Sequence, residues 1–159
     1  ETCMMSFDNK QCYFKIGTTE IISRIVEGQF PDYTQVIPKD YILKVVVETK
    51  KFRESLSRVR IFTREPSWKI LLHFNGDVMT IEANTPDLGE GKEEVQVECD
   101  SSEEITIGLN AQFLMDILRD VDAYSVTIGV TGVMSPLTIV PEGDDEYLTV
   151  IMPIQVKSS

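Results

Sequence analysis

The sequence predicts an α+β fold in which two helices pack on one face of antiparallel sheets. Two segments with helical periodicity, one starting near residue 49 and one near residue 110, are each followed by a run of short segments with strand character. Turn-forming residues separate those segments at short intervals, which is typical of antiparallel connections. From residue 41 onward, the predicted order is strand, helix, three or four strands, helix and three strands.

Three short strands joined by Asp-Asn and Gly-Thr turns are predicted to begin the chain, at residues 2–6, 11–16 and 20–26. Such a meander has one face to bury and no helix of its own to cover it, so we expect it to be part of a larger domain. In a hairpin about residues 8–11, Cys12 falls opposite Phe7 and Cys3 opposite Ile16. The three cysteines are an odd number, so the sequence does not predict a disulfide framework.

A proline-bounded connector follows the third strand. The sequence EGQFPDYTQVIP, residues 27–38, holds aromatic and apolar residues between Pro31 and Pro38. Proline fixes φ and removes a backbone donor, so residues 30–37 are predicted to be neither a helix interior nor a central strand. An apolar connector of this kind should lie in a groove. An interdomain linker tucked against the core is the alternative.

The first helix follows a strand at residues 41–48. It is predicted to start at about Thr49, a suitable N-cap, and to end before Pro66. Apolar residues at spacings of three and four form one stripe: Phe52, Leu56, Val59 and Phe62. Six basic residues fall off that stripe on a helical wheel: Lys50, Lys51, Arg53, Arg58, Arg60 and Arg64. The helix is therefore predicted to have a core side and a cationic side.

The rest of the chain alternates turn signals with strand-like segments around a second helix. An Asn75-Gly76 turn is predicted to join two strands of a hairpin, and the other predicted strands are at residues 93–98, 104–109, 124–130, 136–140 and 147–154. Asn110 is predicted to cap the second helix, which extends to about Asp120. Its inward residues are predicted to be Phe113, Leu114, Ile117, Leu118 and Val121.

Length and composition limit the class of protein. With 159 residues, 42% of them hydrophobic, the chain can bury one good core, or one domain and part of another. No apolar run approaches the roughly 18 residues needed to cross a bilayer, and no basic-then-apolar leader is present. We therefore expect a soluble, cytoplasmic protein without a membrane partner. Because the chain begins with Glu1 rather than Met, we expect a fragment or a processed chain.

Charge is unevenly distributed. The net charge of −11, from 15 Lys and Arg against 26 Asp and Glu, argues by itself against nucleic-acid binding. Residues 82–104 hold nine acids and one base, whereas residues 50–64 hold six bases and one acid. The protein is acidic overall with one basic element.

Signals for catalysis and metal binding are weak. His73 lies in the apolar strand segment ILLHF, so we interpret it as a half-exposed structural histidine rather than part of a catalytic triad. The segment GEGK lacks the length and the Ser or Thr of a phosphate-binding loop, and the acids around it would repel phosphate. The three cysteines and His73 have no recognisable ligand spacing. We expect no enzyme, no metal site and no cofactor.

Five segments, in the family's order, resemble the sliding clamp, the beta subunit of bacterial DNA polymerase III: IISRIVEGQFPDYTQVIP, NTPDLGEGKEEVQVE, IGLNAQFLMDIL, SPLTI and VIMPIQV. The resemblance implies that residues 1–38 are the end of the family's second domain with a connector, and that residues 39–159 are the third, C-terminal domain. It implies a DNA-clamp (processivity) fold with helices toward the centre of a ring. The implied function is a non-enzymatic processivity factor that encircles duplex DNA.

The resemblance also implies a groove for partner peptides, lined by two segments distant in sequence. Its implied residues are Pro31, Tyr33, Gln35 and Val36 on one wall and Val150, Ile151, Met152, Pro153 and Ile154 on the other. The groove would accept a linear motif with Leu and Phe anchors from DNA polymerase III subunits, the clamp loader and repair polymerases. Aliphatic side chains and an adaptable methionine suit such anchors. The alternative is that the last strand only completes a sheet, with Met152 in the core.

Two further surfaces are implied. The cationic helix face would meet the backbone of double-stranded DNA without reading sequence, through Lys50, Lys51, Arg53, Arg58 and Arg60. A solvated, solubilising face is the alternative. Ile61 and Phe62 match the subunit interface of the family's head-to-tail homodimer.

Departures from the family pattern limit these expectations. Many relatives carry arginine where Gln35 and Gln155 stand, so a charged rim of the groove is weakened here. Without the family's first domain, this chain is expected not to close a ring. The alternative function is a stand-alone acidic adaptor that binds proteins through the region of Pro31 and Met152 and never meets DNA. A full-length gene product much longer than this chain would favour the clamp.

Overall fold

The protein divides into two compact units, Glu1–Asp32 and Tyr33–Ser159, each with a sheet of its own. The structure is a computed structural model that describes residues 2–29, 32–144 and 146–156. Within these ranges, none of the helices has the length and apolar character needed to span a bilayer.

The smaller unit is the predicted three-stranded antiparallel meander, built from β1 (Cys3–Phe7), β2 (Gln11–Ile16) and β3 (Thr19–Arg24). The register pairs Cys3 with Ile16 and Phe7 with Cys12, as predicted, and all three cysteines are free. The Asp8 carboxylate accepts hydrogen bonds from the backbone N–H groups of Lys10 and Gln11 at 2.7 and 2.8 Å. These bonds close the turn and lower the pKa of Asp8.

The larger unit has the predicted architecture, two helices on a curled antiparallel sheet. Its elements are β4 (Leu43–Glu48), α1 (Thr49–Val59), β5 (Lys69–Asn75), β6 (Val78–Thr85), β7 (Gly89–Cys99), β8 (Ile105–Asn110), α2 (Ala111–Arg119), β9 (Ser125–Val130), β10 (Leu137–Pro141) and β11 (Thr149–Ile151). Short 3-10 turns span Tyr33–Gln35 and Arg60–Phe62. The eight strands lie in the order β11-β10-β9-β4-β7-β6-β5-β8.

The core lies between the helices and one face of this sheet. Alternate residues of the strands are buried, as the period of two requires. The apolar stripe of α1 is buried at Phe52, Leu56 and Val59, as predicted. From α2, the contributions to the core are Ala111, Leu114 and Leu118.

The boundaries of α1 differ from the prediction. Glu48, not Thr49, is the N-cap, and its side chain makes no capping hydrogen bond. Thr49 is the first helical residue; it is turned into the core, and its backbone N–H donates to the carbonyl of Tyr124 at 2.9 Å. The helix also ends at Val59 rather than just before Pro66, because the chain tightens there into the 3-10 turn.

The cap of α2 is confirmed, but one of its predicted inward residues is wrong. The side-chain oxygen of Asn110 accepts hydrogen bonds from the backbone N–H groups of Gln112 and Phe113, at 2.8 and 3.2 Å. Phe113 itself is 61% exposed, whereas Leu114 and Leu118 are fully buried. Leu114 and Leu118 are four residues apart and define the buried stripe of this short helix. Phe113 precedes Leu114 by one residue and so points about 100° away from that stripe.

The C-terminal strand is shorter than predicted, and the chain then crosses to the opposite edge of the sheet. β11 pairs with β10 only over Thr149–Ile151. Pro153, which has no N–H, follows, and the N–H of Ile154 then donates to the carbonyl of Gly108 on β8 at 2.7 Å. β11 and β8 are the two edge strands of the sheet. Residues 149–154, called the C-terminal segment below, therefore link both edges.

Candidate functional site

The C-terminal segment presents its methionine to solvent. Ile151 is buried in the core, whereas the next residue, Met152, is 59% exposed. Val150, Pro153 and Ile154 are half-buried. The alternative that Met152 belongs to the core is therefore wrong, because consecutive residues of an extended segment point to opposite faces and Ile151 occupies the inner one.

The connector contributes a short turn with exposed side chains. Tyr33–Gln35 form a 3-10 turn, closed by a hydrogen bond from the N–H of Val36 to the carbonyl of Tyr33 at 3.1 Å. Tyr33, Gln35 and Val36 are exposed. Pro31 lies outside the described residues. The connector turn and the C-terminal segment belong to the same compact unit, and it stays a prediction that they line one groove.

Two apolar residues next to this segment were missed by sequence reasoning. Val133 and Met134 are exposed in the loop between β9 and β10. The β10–β11 register pairs Leu137 with Ile151, and its continuation by one residue sets Pro136 opposite Met152. The last residue of the loop therefore lies beside Met152. An apolar pair between Gly132 and Ser135 in an otherwise turn-like segment was the available sequence signal.

The cationic face of α1 is partly neutralised by the protein's own carboxylates. Lys51 Nζ lies 2.6 Å from Glu48 Oε2. Arg58 forms a two-pronged ion pair with Glu93, with Nε and NH2 at 2.8 and 2.9 Å from the two carboxylate oxygens. Each pair raises the pKa of its basic member. These two predicted DNA-facing residues therefore carry compensated charges.

The other three predicted cations differ in exposure. Arg53 is half-buried, and its NH1 donates to the carbonyl of Leu118 near the end of α2 at 3.5 Å. Arg60 is also half-buried. Lys50 is exposed and forms no ion pair with any residue in the described parts of the chain. Lys50 is thus the predicted cation that is most available to a ligand.

A further cation, Arg119, was missed by sequence reasoning. The contact between Arg53 and Leu118 brings the start of α1 close to the end of α2, where Arg119 is exposed. Arg119 forms an ion pair with Asp116 one turn earlier. A basic residue in the last turn of a predicted helix was the available signal, and the contact from Arg53 to Leu118 brings that turn close to α1.

The ion pair between Arg58 and Glu93 joins α1 to β7. The Arg58 guanidinium lowers the pKa of the Glu93 carboxyl, mainly through its hydrogen bonds, against a smaller opposing effect of burial. Because the folded protein favours the ionised form, the pair contributes stability above the carboxyl's ordinary pKa of 4.5. That contribution is lost as the pH falls through the lowered pKa.

We expect Glu93→Gln to destabilise the protein by less than about 1 kcal/mol at neutral pH, because both partners are partly exposed to solvent. The difference from the unmodified protein should shrink as the pH falls below the ordinary carboxyl pKa of 4.5. Urea denaturation at several pH values measures this difference. Glu90→Gln is a suitable control, since Glu90 lies on the same strand and is exposed. A difference that grows as the pH falls would contradict the assignment.

Of the two residues predicted to lie in a subunit interface, Ile61 is exposed and Phe62 is packed against the sheet. Ile61 is 71% exposed. The ring of Phe62 instead packs over Gly91 of β7, where an added Cβ would lie 2.3 Å from a ring carbon. Ile61 helps to line a cavity of about 410 Å³, together with Ser57, Arg60, Thr63, Trp68 and Met115. Phe62 is thus packed against β7, whereas Ile61 is exposed at the edge of the cavity.

The histidine lies on the sheet between a hydroxyl and a carboxylate. His73 Nδ1 is 2.8 Å from Thr106 Oγ1, and Nε2 is 3.4 Å from Glu82 Oε2. Its side chain is half-buried, in agreement with the structural interpretation. Across the described ranges, no three His, Cys, Asp or Glu side chains are grouped closely enough to hold a metal ion.

Comparison with known proteins identifies close similarity over nearly the whole chain. A family model described as "DNA polymerase III beta subunit, C-terminal domain" matches residues 34–155. A beta sliding clamp of Staphylococcus aureus is 31% identical over 150 residues, which are 94% of this chain and 40% of that relative. The chain thus spans well under half the length of the curated relatives that it matches.

Solved structures give the same result. The DNA polymerase III beta subunit of Thermotoga maritima is 30% identical with a TM-score of 0.80, over 98% of this chain and 42% of the other. A DNA polymerase sliding clamp from Pseudomonas aeruginosa is 28% identical with a TM-score of 0.82, over 96% of this chain and 41% of the other. The predicted DNA-clamp fold is therefore confirmed.

Proposed function

The chain belongs to the DNA polymerase III beta subunit family, and from that premise we propose that it acts as the C-terminal part of a sliding clamp. In this role it helps to hold a DNA polymerase on double-stranded DNA and recruits partners through a peptide-binding groove. The proposal assigns residues 1–38 to the end of the second domain with its connector, and residues 39–159 to the third domain. In this proposal the protein catalyses no reaction, needs no cofactor and acts in the cytoplasm.

One observation supports the proposed peptide-binding groove most directly. Met152 is exposed although the chain is tied to the fold before and after it, with Ile151 buried in the core and Ile154, two residues further on, hydrogen-bonded to β8. A large apolar side chain held in solvent on a segment attached at both ends favours a binding role when it is part of a larger apolar patch. The exposed Tyr33 and Val36 from the connector and Met134 from the β9–β10 loop supply further apolar surface.

The occupant of this groove is a short linear peptide with leucine and phenylalanine anchors, carried by polymerase subunits, the clamp loader or repair polymerases. The rim of the groove has neutral Gln35 and Gln155 at positions where many family members resemble one another in having arginine. We therefore expect the affinity for the peptide to come from its apolar anchors. The test is a titration of such a peptide into the protein by calorimetry. Weak, saturable binding is expected, and absence of binding would contradict the groove.

The helical face is proposed to lie against the DNA backbone through Lys50, Lys51, Arg53, Arg58 and Arg60, with Arg119 beside them. The pairing of Lys51 with Glu48 and of Arg58 with Glu93 supports a weak contact, because a phosphate must compete with a carboxylate already in place. Weak, sequence-independent contact suits a clamp that slides. Of the five, Lys50 is the exposed cation that forms no ion pair within the described ranges.

We expect Lys50→Gln to weaken binding of duplex DNA at low salt, and to reduce the slope of log K against log salt by about 0.9, the loss of one phosphate contact. Fluorescence anisotropy with a labelled duplex measures both quantities. Lys92→Gln is the matched control, because Lys92 is exposed and its neighbour Gly91 faces Phe62 on the helix side of β7. An equal change in the control would contradict the assignment, and no binding at low salt would favour the acidic adaptor.

The surface around Ile61 is proposed to meet another subunit of a head-to-tail homodimer. Its exposure beside a cavity supports this role, as does the open edge of β7, which pairs with β4 only over Val97–Cys99. Phe62 is proposed to contribute indirectly, because its packing on Gly91 fixes the chain next to Ile61.

A further inference from the structure

The exposed position of Met152 depends on two attachments of the C-terminal segment to the sheet. On one side, Thr149–Ile151 pair with β10. On the other, the N–H of Ile154 donates to the carbonyl of Gly108 at 2.7 Å. Only Met152 and Pro153 lie between these attachments, and proline restricts one of the two residues further. A segment this short has little freedom, so its two ends determine where the Met152 side chain points.

The attachment to β8 requires the absence of a side chain at position 108. A Cβ added there would lie 2.7 Å from the carbonyl oxygen of Ile154 and 2.9 Å from Cγ2 of Val156. Both distances are below those that real Cβ atoms show, and the first involves backbone, which cannot rotate away. Gly108 has no left-handed backbone conformation to maintain. Its small size, rather than its flexibility, is what the C-terminal segment needs.

We propose that Gly108 is a positioning residue of the partner groove: it admits the C-terminal segment against β8 and thereby orients Met152 toward a bound peptide. This inference rests on the proposed function and deepens it, because it assigns part of the groove's affinity to a residue that does not line the groove. A side chain at position 108 would push Ile154 away from β8. Met152 would then remain present but would lose its fixed direction, and a mobile anchor binds less tightly than a preorganised one.

The test compares Gly108→Ala with Gly91→Ala in the full 159-residue chain. Gly91 is a matched control because it also lies in a strand of the same sheet and also lacks space for a Cβ, but it faces Phe62 rather than the C-terminal segment. Affinity for the leucine- and phenylalanine-anchored peptide is measured by calorimetry. Hydrogen exchange of the Ile154 amide, followed by NMR, reports the attachment directly, and thermal unfolding reports global stability.

For Gly108→Ala we expect peptide binding to weaken about tenfold, as for loss of a well-ordered interface contact, together with faster exchange of the Ile154 amide. Gly91→Ala should lower thermal stability but leave both readouts unchanged. Unaltered affinity in Gly108→Ala would overturn the inference, and so would equal weakening by Gly91→Ala, which would indicate a general loss of stability. If the unmodified protein binds no peptide, the proposed groove itself is wrong and this inference falls with it.

Discussion

We expect Met152→Ala to abolish measurable binding of a leucine- and phenylalanine-anchored peptide, a loss of at least about thirtyfold, which corresponds to about 2 kcal/mol for a central apolar anchor. Met152 is the exposed apolar residue of the C-terminal segment, and its unbranched thioether side chain adapts to the shape of an incoming anchor. Truncation to alanine removes this contact without disturbing the core, because Ile151 holds the strand in place. Calorimetric titration measures the loss.

Leu88→Ala provides the control for this experiment. Leu88 is an exposed aliphatic residue in the turn between β6 and β7, and several strands of the sheet separate that turn from β11. Its truncation should leave peptide affinity unchanged. If Met152→Ala binds as tightly as the unmodified protein, or if Leu88→Ala loses as much affinity, the C-terminal segment is not the wall of the groove.

We expect Phe52→Ala to destabilise the protein by about 3–5 kcal/mol, the cost of losing a buried aromatic ring and leaving a cavity. Phe52 is completely buried where α1 packs on the sheet. Total stabilities of single domains are of the order of 5–15 kcal/mol, so this loss should move the unfolding midpoint far down in urea. Fluorescence of the single tryptophan, half-buried Trp68, reports the transition.

Phe113→Ala is the matched control, since it removes the same ring from the other helix. Phe113 is 61% exposed, so its truncation should change stability by less than about 0.5 kcal/mol, as for an ordinary surface site. Equal losses for the two substitutions would mean that Phe113 packs inward, as its position in the sequence had indicated, and would contradict the orientation of α2.

The contrast between these two phenylalanines shows where sequence patterns were sufficient. In α1 the stripe of Phe52, Leu56 and Val59 extends over two turns, so its direction could be predicted. In α2 a shorter helix carries apolar residues around much of its circumference. Which of them point inward depends on how the helix sits on the sheet. The pattern alone could not distinguish Phe113 from Leu114.

The functional surfaces show the same division. The sequence predicted basic residues off the buried stripe of α1, and none of them is fully buried, but it predicted a final strand over residues 147–154 that in the structure ends at Ile151, just before Met152. It did not predict that Arg58 would be held by Glu93, 35 residues away, or that Arg53 would reach the end of α2, 65 residues away. Nor did it predict that Ile154 would pair with Gly108.

By itself, the sequence determined the order of helices and strands, the Asn110 cap, the register of the first hairpin and the family. These features depend on residues near one another in the chain, whose spacing and turn chemistry act before any long-range contact forms. Only the tertiary structure decided which cations are neutralised, which side of α2 is buried and how the C-terminal segment joins two edges of the sheet. Those outcomes depend on which distant segments meet, and that is determined by the strand order of the assembled sheet.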